Sequence, residues 1–196
     1  MHTHKNIHEY EKIIYTLVIG TMALIACQDE PSYTIHGTIV IDQEVKMVYL
    51  EDWENFNMDE NIPPTVLDSA QVIDGKFTFT GRQDSARFLY ISPVGKEEYI
   101  DECAFFLENG NINVNLGYDW EKYSVTGTPN NDLYQRYRNK EITYEDILEN
   151  YTQTAVGIEF FSRLSQNDKL ALKIIPKLPE SCLGNPKVQQ VIEKFR

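Results

Sequence analysis

The sequence predicts an α+β protein: an antiparallel β-sandwich followed by a small C-terminal helical bundle. Three observations predict it. Apolar and polar residues alternate in short runs through residues 33–126, the period of half-buried strands. Turn pairs containing Gly or Pro separate those runs at near-regular spacing, the pattern of a sandwich. Past Pro129 the apolar residues recur at helical spacing, so strands and helices are segregated along the chain rather than alternating. Residues 33–128 are then the sandwich domain and residues 129–196 a helical appendage. Hydrophobic residues make up 42% of the 196, enough for a packed core.

In the first strand Tyr33, Ile35, Gly37, Ile39 and Ile41 alternate with Thr34, His36, Thr38 and Val40. Met47 to Leu50 is a short apolar strand. Val66 to Ile73 leads into Asp74-Gly75, with Phe77 and Phe79 alternating beyond it. Asp-Gly between two such runs signals a hairpin, because both central residues of the tight turn need φ > 0. Arg87 to Ile91 forms the next strand, which Ser92-Pro93 closes. Cys103 to Leu107 is apolar throughout, and Asn109-Gly110 turns it into the alternating Ile112, Val114 and Leu116. Val125 sits in a last short strand ended by Gly127 and Pro129.

Asn131 is placed to cap a helix carrying Leu133, Tyr134 and Tyr137. Thr143 with Asp146 behind it forms a capping-box variant opening a helix with Ile147 and Leu148. Val156, Phe160 and Leu164 share one helix face. Ser165 is placed to cap a helix in which Leu170, Ile174 and Leu178 recur every fourth residue. Asn185-Pro186 is an N-cap and first-turn pair ahead of Val188, Val191, Ile192 and Phe195. Helices this short are marginal alone in water, so residues 131–196 are expected to dock as one bundle on an edge of the sheet.

The N-terminus carries a different signal. Ile13 to Ala26 is apolar or small and uncharged, the length of a signal-peptide core and too short for a comfortable bilayer span. It ends in Leu24-Ile25-Ala26-Cys27, which resembles the lipobox of bacterial lipoproteins. That resemblance implies a signal peptide over residues 1–26, a lipidated tether over residues 27–32, and diacylglycerol on the Cys27 thiol. The n-region departs from the usual pattern: Lys5 and Lys12 are offset by Glu9 and Glu11. The bland reading is a buried helix with an ordinary core cysteine. The expected location is the cell envelope, lipid-anchored, at the outer membrane on its periplasmic face or on the cell surface. Gln28-Asp29-Glu30 resemble the surface-export signal of Bacteroidetes lipoproteins, or are a solvated acidic tether.

The formal net charge of −12 argues against a nucleic-acid partner, whose binding rests on cationic side chains. It also argues against peripheral docking on anionic lipid.

Several pieces occur in a familiar order: Ile35-His36-Gly37, then Leu67-Asp68-Ser69-Ala70, then the run Asp74 to Gly81. Phe106-Leu107-Glu108-Asn109-Gly110 and Thr126 to Asn131 follow. Together they resemble the N-terminal "domain of unknown function 4369" of Bacteroidetes lipoproteins. In that family the domain usually precedes a thioredoxin-like domain of the AhpC/TSA and TlpA type. No CxxC motif occurs in this sequence, so the redox site of such relatives has nothing to map onto. The resemblance implies an accessory module without its enzyme, and a thioredoxin-like protein as a candidate partner.

No catalytic residue, metal ligand set or cofactor motif is singled out, and the expectation is a non-enzymatic protein. Asp52, Glu54, Asp59 and Glu60 lack the spacing of a calcium loop. His36 reads as a solvent-facing strand residue. Cys103 and Cys182 allow a bridge pinning sheet to helices or two separate thiols, with Cys103 buried in its apolar run. Trp53, Phe56, Tyr118 and Trp120 are the candidate ligand surface, for a glycan or a peptide. Packing at the sandwich edge is the competing account, since aromatics dominate cores.

Overall fold

The structure, a computed structural model, describes residues 32–40, 45–95, 102–117, 122–164 and 169–195. The strands are β1 (Tyr33–Ile39), β2 (Met47–Asp52), β3 (Thr65–Gln71), β4 (Lys76–Gly81), β5 (Arg87–Val94), β6 (Cys103–Leu107), β7 (Gly110–Leu116) and β8 (Ser124–Thr126). They form two four-stranded sheets, ordered β4-β1-β7-β8 and β3-β2-β5-β6. The helices are α1 (Pro129–Arg138), α2 (Tyr144–Asn150), α3 (Ala155–Ser162), α4 (Lys169–Ile174), α5 (Glu180–Leu183) and α6 (Pro186–Lys194). The α+β order is as the periodicity predicts.

Alternation sets the sandwich core. Ile35, Leu89, Ile91 and Ile112 are fully buried between the sheets. Gly37 stands opposite Phe77 on β4, and a Cβ there would lie 2.0 Å from the Phe77 ring. The ring fills the space a side chain would take, so this strand position needs glycine.

Both turn pairs form, but neither makes a hairpin ladder. Asp74 and Gly75 take φ of 50° and 70°, and Ile73 and Lys76 exchange backbone bonds of 2.9 and 3.0 Å. The strands then part: β3 pairs with β2 in one sheet and β4 with β1 in the other. Parting after one bridge brings Phe77 and Phe79 to the core from the opposite side. Asn109-Gly110 likewise carries the chain from β6 in one sheet to β7 in the other. These crossings lay β7 parallel to β1, from Tyr33 opposite Gly110 to Ile39 opposite Leu116. The other ladders are antiparallel, as expected of the sandwich. Pro93 does not close β5 either. It lies beyond the last β5–β6 pair, Ile91 with Cys103, where a missing N–H removes no bond on that side.

α1 docks on the sandwich edge against β6 and β8, as expected, with the Val125 N–H donating to Gln135 Oε1 at 3.0 Å, and the later helices cover the outer face of the β3-β2-β5-β6 sheet. Every residue of β6 is buried: Cys103, Phe105 and Leu107 face the sandwich core, while Phe106 joins the helical core with Phe160, Phe161, Ile147 and Val188. Asn131 is not the cap of α1. The N-cap position is Thr128, and Asn131 is a fully buried residue of the first turn. Its Oδ1 accepts from the Phe106 N–H at 2.9 Å, and its Nδ2 donates to the Phe106 carbonyl at 2.7 Å. One side-chain amide thereby pairs with both backbone groups of a strand edge.

The capping box of α2 is present, with Asp146 N donating to Thr143 Oγ1 at 3.1 Å and Thr143 N to Asp146 Oδ2 at 2.9 Å. Thr154 caps α3 and Asn185 caps α6. The expected run through Leu178 breaks instead: α4 ends at Ile174, and Pro176 draws Ile175–Lys177 into a 3₁₀ turn. The cap at Ser165 lies outside the described residues.

Candidate functional site

A cleft of about 900 Å³ opens between the β3-β2-β5-β6 sheet and the helices. Its aromatic wall comes from β5 and the end of β2. Along β5, Leu89 and Ile91 point into the sandwich, so Phe88 and Tyr90 stand on the outer face. Phe88 packs against the bundle, with ring centroids 5.1 Å from Phe106 and 5.8 Å from Tyr134. Tyr90 stands 5.5 Å from Phe88 and 4.9 Å from Trp53. Trp53 also packs against Phe56 at 4.8 Å. Its indole N–H donates to Glu51 Oε2 at 3.1 Å, an oxygen that also accepts from Ser92 Oγ at 2.6 Å.

The opposite wall is ionic. Glu159 on α3 has a side chain only 14% exposed, and it accepts from Arg163 at 2.9 Å and from Lys187 at 3.1 Å. Lys187, in the first turn of α6, also reaches Glu54 at 3.6 Å. Arg163 lies 5.0 Å from the Phe88 ring centre. Burial opposes its charge, but the bond and charge of Glu159 outweigh that and hold the guanidinium above its ordinary value. On the near rim Arg87 pairs with Asp52. Burial pushes the Tyr90 phenol up; the Arg163 charge opposes this and the Glu159 charge adds to it. Tyr90 is thus a neutral donor at ordinary pH, and its hydroxyl makes no hydrogen bond to the described residues. The cleft joins paired ions, rings and one phenol without a hydrogen bond to the described residues, an arrangement suited to holding a ligand by shape and hydrogen bonding.

Trp53 and Phe56 are brought together as the sequence suggested, and Tyr90 joins them from β5. Tyr118 and Trp120 lie outside the described residues, as do Cys27 and the apolar run before it. Cys103 and Cys182 are free thiols in separate cores, so no bridge joins sheet to helices. Cys182 Sγ donates to the Thr152 carbonyl at 3.3 Å. In the acidic loop, Asp52 accepts from the Glu54 N–H and Asn57 from those of Asp59 and Glu60. Among the described residues no three His, Cys, Asp or Glu side chains converge as a metal site.

Phe88, Tyr90, Arg87, Glu159, Arg163 and Lys187 were not singled out from the sequence. One signal was present: Phe88 and Tyr90 interleave with Leu89 and Ile91, so β5 is apolar on both faces and needs a cover on each.

Fold and cleft define a helix-buttressed β-sandwich module with a ligand-sized recess at the joint. The chain belongs to the family described as "Domain of unknown function (DUF4369)", whose model matches residues 33–134, more than half its length. The resemblance seen in the sequence is this family. A search of curated proteins gives no match to the chain.

Proposed function

We propose that the protein is a non-enzymatic binding module of the cell envelope, tethered by lipid at Cys27, whose cleft receives an extended segment of a partner protein. The observation that supports a polypeptide ligand is the cleft wall itself. Trp53 already packs against Phe56 at 4.8 Å and Tyr90 at 4.9 Å, so a sugar ring stacking on the indole would compete with those rings. An extended peptide instead needs an apolar recess and a few donors, and Phe88, Tyr90 and the Tyr90 hydroxyl supply them. A separately encoded thioredoxin-like protein is the partner that relatives suggest, since they carry that domain in the same chain.

Selection from a displayed peptide library tests the cleft. Enriched peptides are expected to bind tenfold or more weakly to Tyr90→Ala and unchanged to Thr78→Ala, on the far side of the sandwich. Enriched peptides that bind Tyr90→Ala as well as the parent would overturn the reading. For the anchor, Cys27→Ala is expected to accumulate unlipidated precursor and to take up no labelled palmitate; label in that variant refutes the tether. Turnover of a dithiol substrate by the purified protein would refute the non-enzymatic role.

A further inference from the structure

The outer face of the β4-β1-β7-β8 sheet lies on the side of the sandwich away from the cleft. There β7 sets Asn111, Asn113 and Asn115 at three successive outward positions, all exposed. Strands disfavour asparagine, whose amide competes for nearby backbone groups. Three in a row break the local rule that Thr obeys on the neighbouring strands. Asn115 is engaged by Thr38 and Ser124. The side-chain amides of Asn111 and Asn113 make no hydrogen bond to the described residues, although the Asn113 amide lies close over Gly127. In register beside them stand Thr34 and His36 on β1, then Thr80 and Thr78 on β4.

Charge gives an independent observation. The chain holds 30 Asp and Glu, yet none occupies an outward position on these four strands. Lys76, at one corner, is the single cation among those positions.

We propose that this face binds a neutral polysaccharide. Side chains recur about every 4.8 Å across the strands and about every 6.8 Å along them, a fixed two-dimensional array. Each amide and hydroxyl offers both donor and acceptor, as each sugar hydroxyl does. An anionic polymer finds one cation here and meets the field of a chain at −12. An apolar protein surface finds no apolar partner. A neutral polyol loses nothing to either.

The test is native electrophoresis of the full chain through gels containing dextran, galactomannan or xyloglucan, with alginate as the anionic counterpart. At least one neutral polymer is expected to retard the protein, and alginate not to. The double variant Asn111→Val, Asn113→Val is expected to weaken retardation at least fivefold while its melting temperature holds or rises, since valine suits a strand. Tyr90→Ala is expected to be retarded as the parent is, which separates this face from the cleft. Absence of retardation by all three neutral polymers, retardation by alginate alone, or full retardation of the double variant each overturns the proposal.

Discussion

The sandwich and the bundle are held together in different ways. In the sandwich, continuous ladders satisfy the backbone and aliphatic side chains from both sheets interlock. The bundle has helices of at most ten residues, held by caps and by rings: Tyr134, Tyr137, Tyr144 and Phe160 pack edge-on or stacked around one another. Its floor is not its own, because Phe106 belongs to β6. Helices this short need a prepared surface, and the outer face of a finished sheet provides one. The sandwich therefore organises the bundle, and the bundle in return covers an otherwise exposed apolar face.

The sharpest way to break that dependence is Phe106→Ala. Removing this ring is expected to cost about 3–5 kcal/mol in urea unfolding. Amides of α3 and α6 should lose hydrogen-exchange protection before those of β1 and β7. Simultaneous loss in both regions would mean that sheet and bundle are one cooperative unit.

A smaller effect is expected at the joint. Asn131→Ala strands the N–H and carbonyl of Phe106, at about 1–3 kcal/mol for such a group. Gel filtration should then show concentration-dependent association through the opened edge of β6.

Smaller still is the cap of α2. Thr143→Ala is expected to lower stability by about 1 kcal/mol near neutral pH, the usual cost of an N-cap. The Thr143 hydroxyl and N–H hold the Asp146 carboxyl below its ordinary value. A depressed acid stabilises the fold above the unfolded carboxylate value, about 4, and that contribution is lost as pH falls through the lower folded value. The gap between parent and Thr143→Ala should therefore narrow in acid; a constant gap would exclude this coupling.

The last comparison changes stability least and reads it region by region. In a Cys27→Ala background, burial pushes the Cys103 thiol up and shields it, and Cys182 is buried in the other core. Cys182 should become alkylatable at lower urea than Cys103. The reverse order would make the sandwich the weaker region.

Much of this was legible because burial on one face writes a pattern. β1 and β7 alternate visibly, and Thr143 and Asn185 cap where their types and spacing say. Sheet membership was not legible, since Asp74-Gly75 specifies a tight turn but not whether the strands beyond it stay together. Asn131 misled because the amide that suits a cap equally suits a strand edge. The cleft is a tertiary product. Trp53 and Phe56 are neighbours in sequence, but Tyr90 reaches them through sheet pairing, and Glu159 meets Lys187 28 residues away.

The amide of Asn131 also bears on the order in which the chain is made. The eight described strands leave the ribosome before the residue that seals β6, so a nascent sandwich carries an open edge until α1 emerges. The smallest safely excised piece thus ends after α1 rather than after the last strand. A chain stopped at residue 128 is expected to self-associate, and one stopped at residue 138 to keep that edge closed. The family match itself, running to residue 134, takes in the plug along with the sheets.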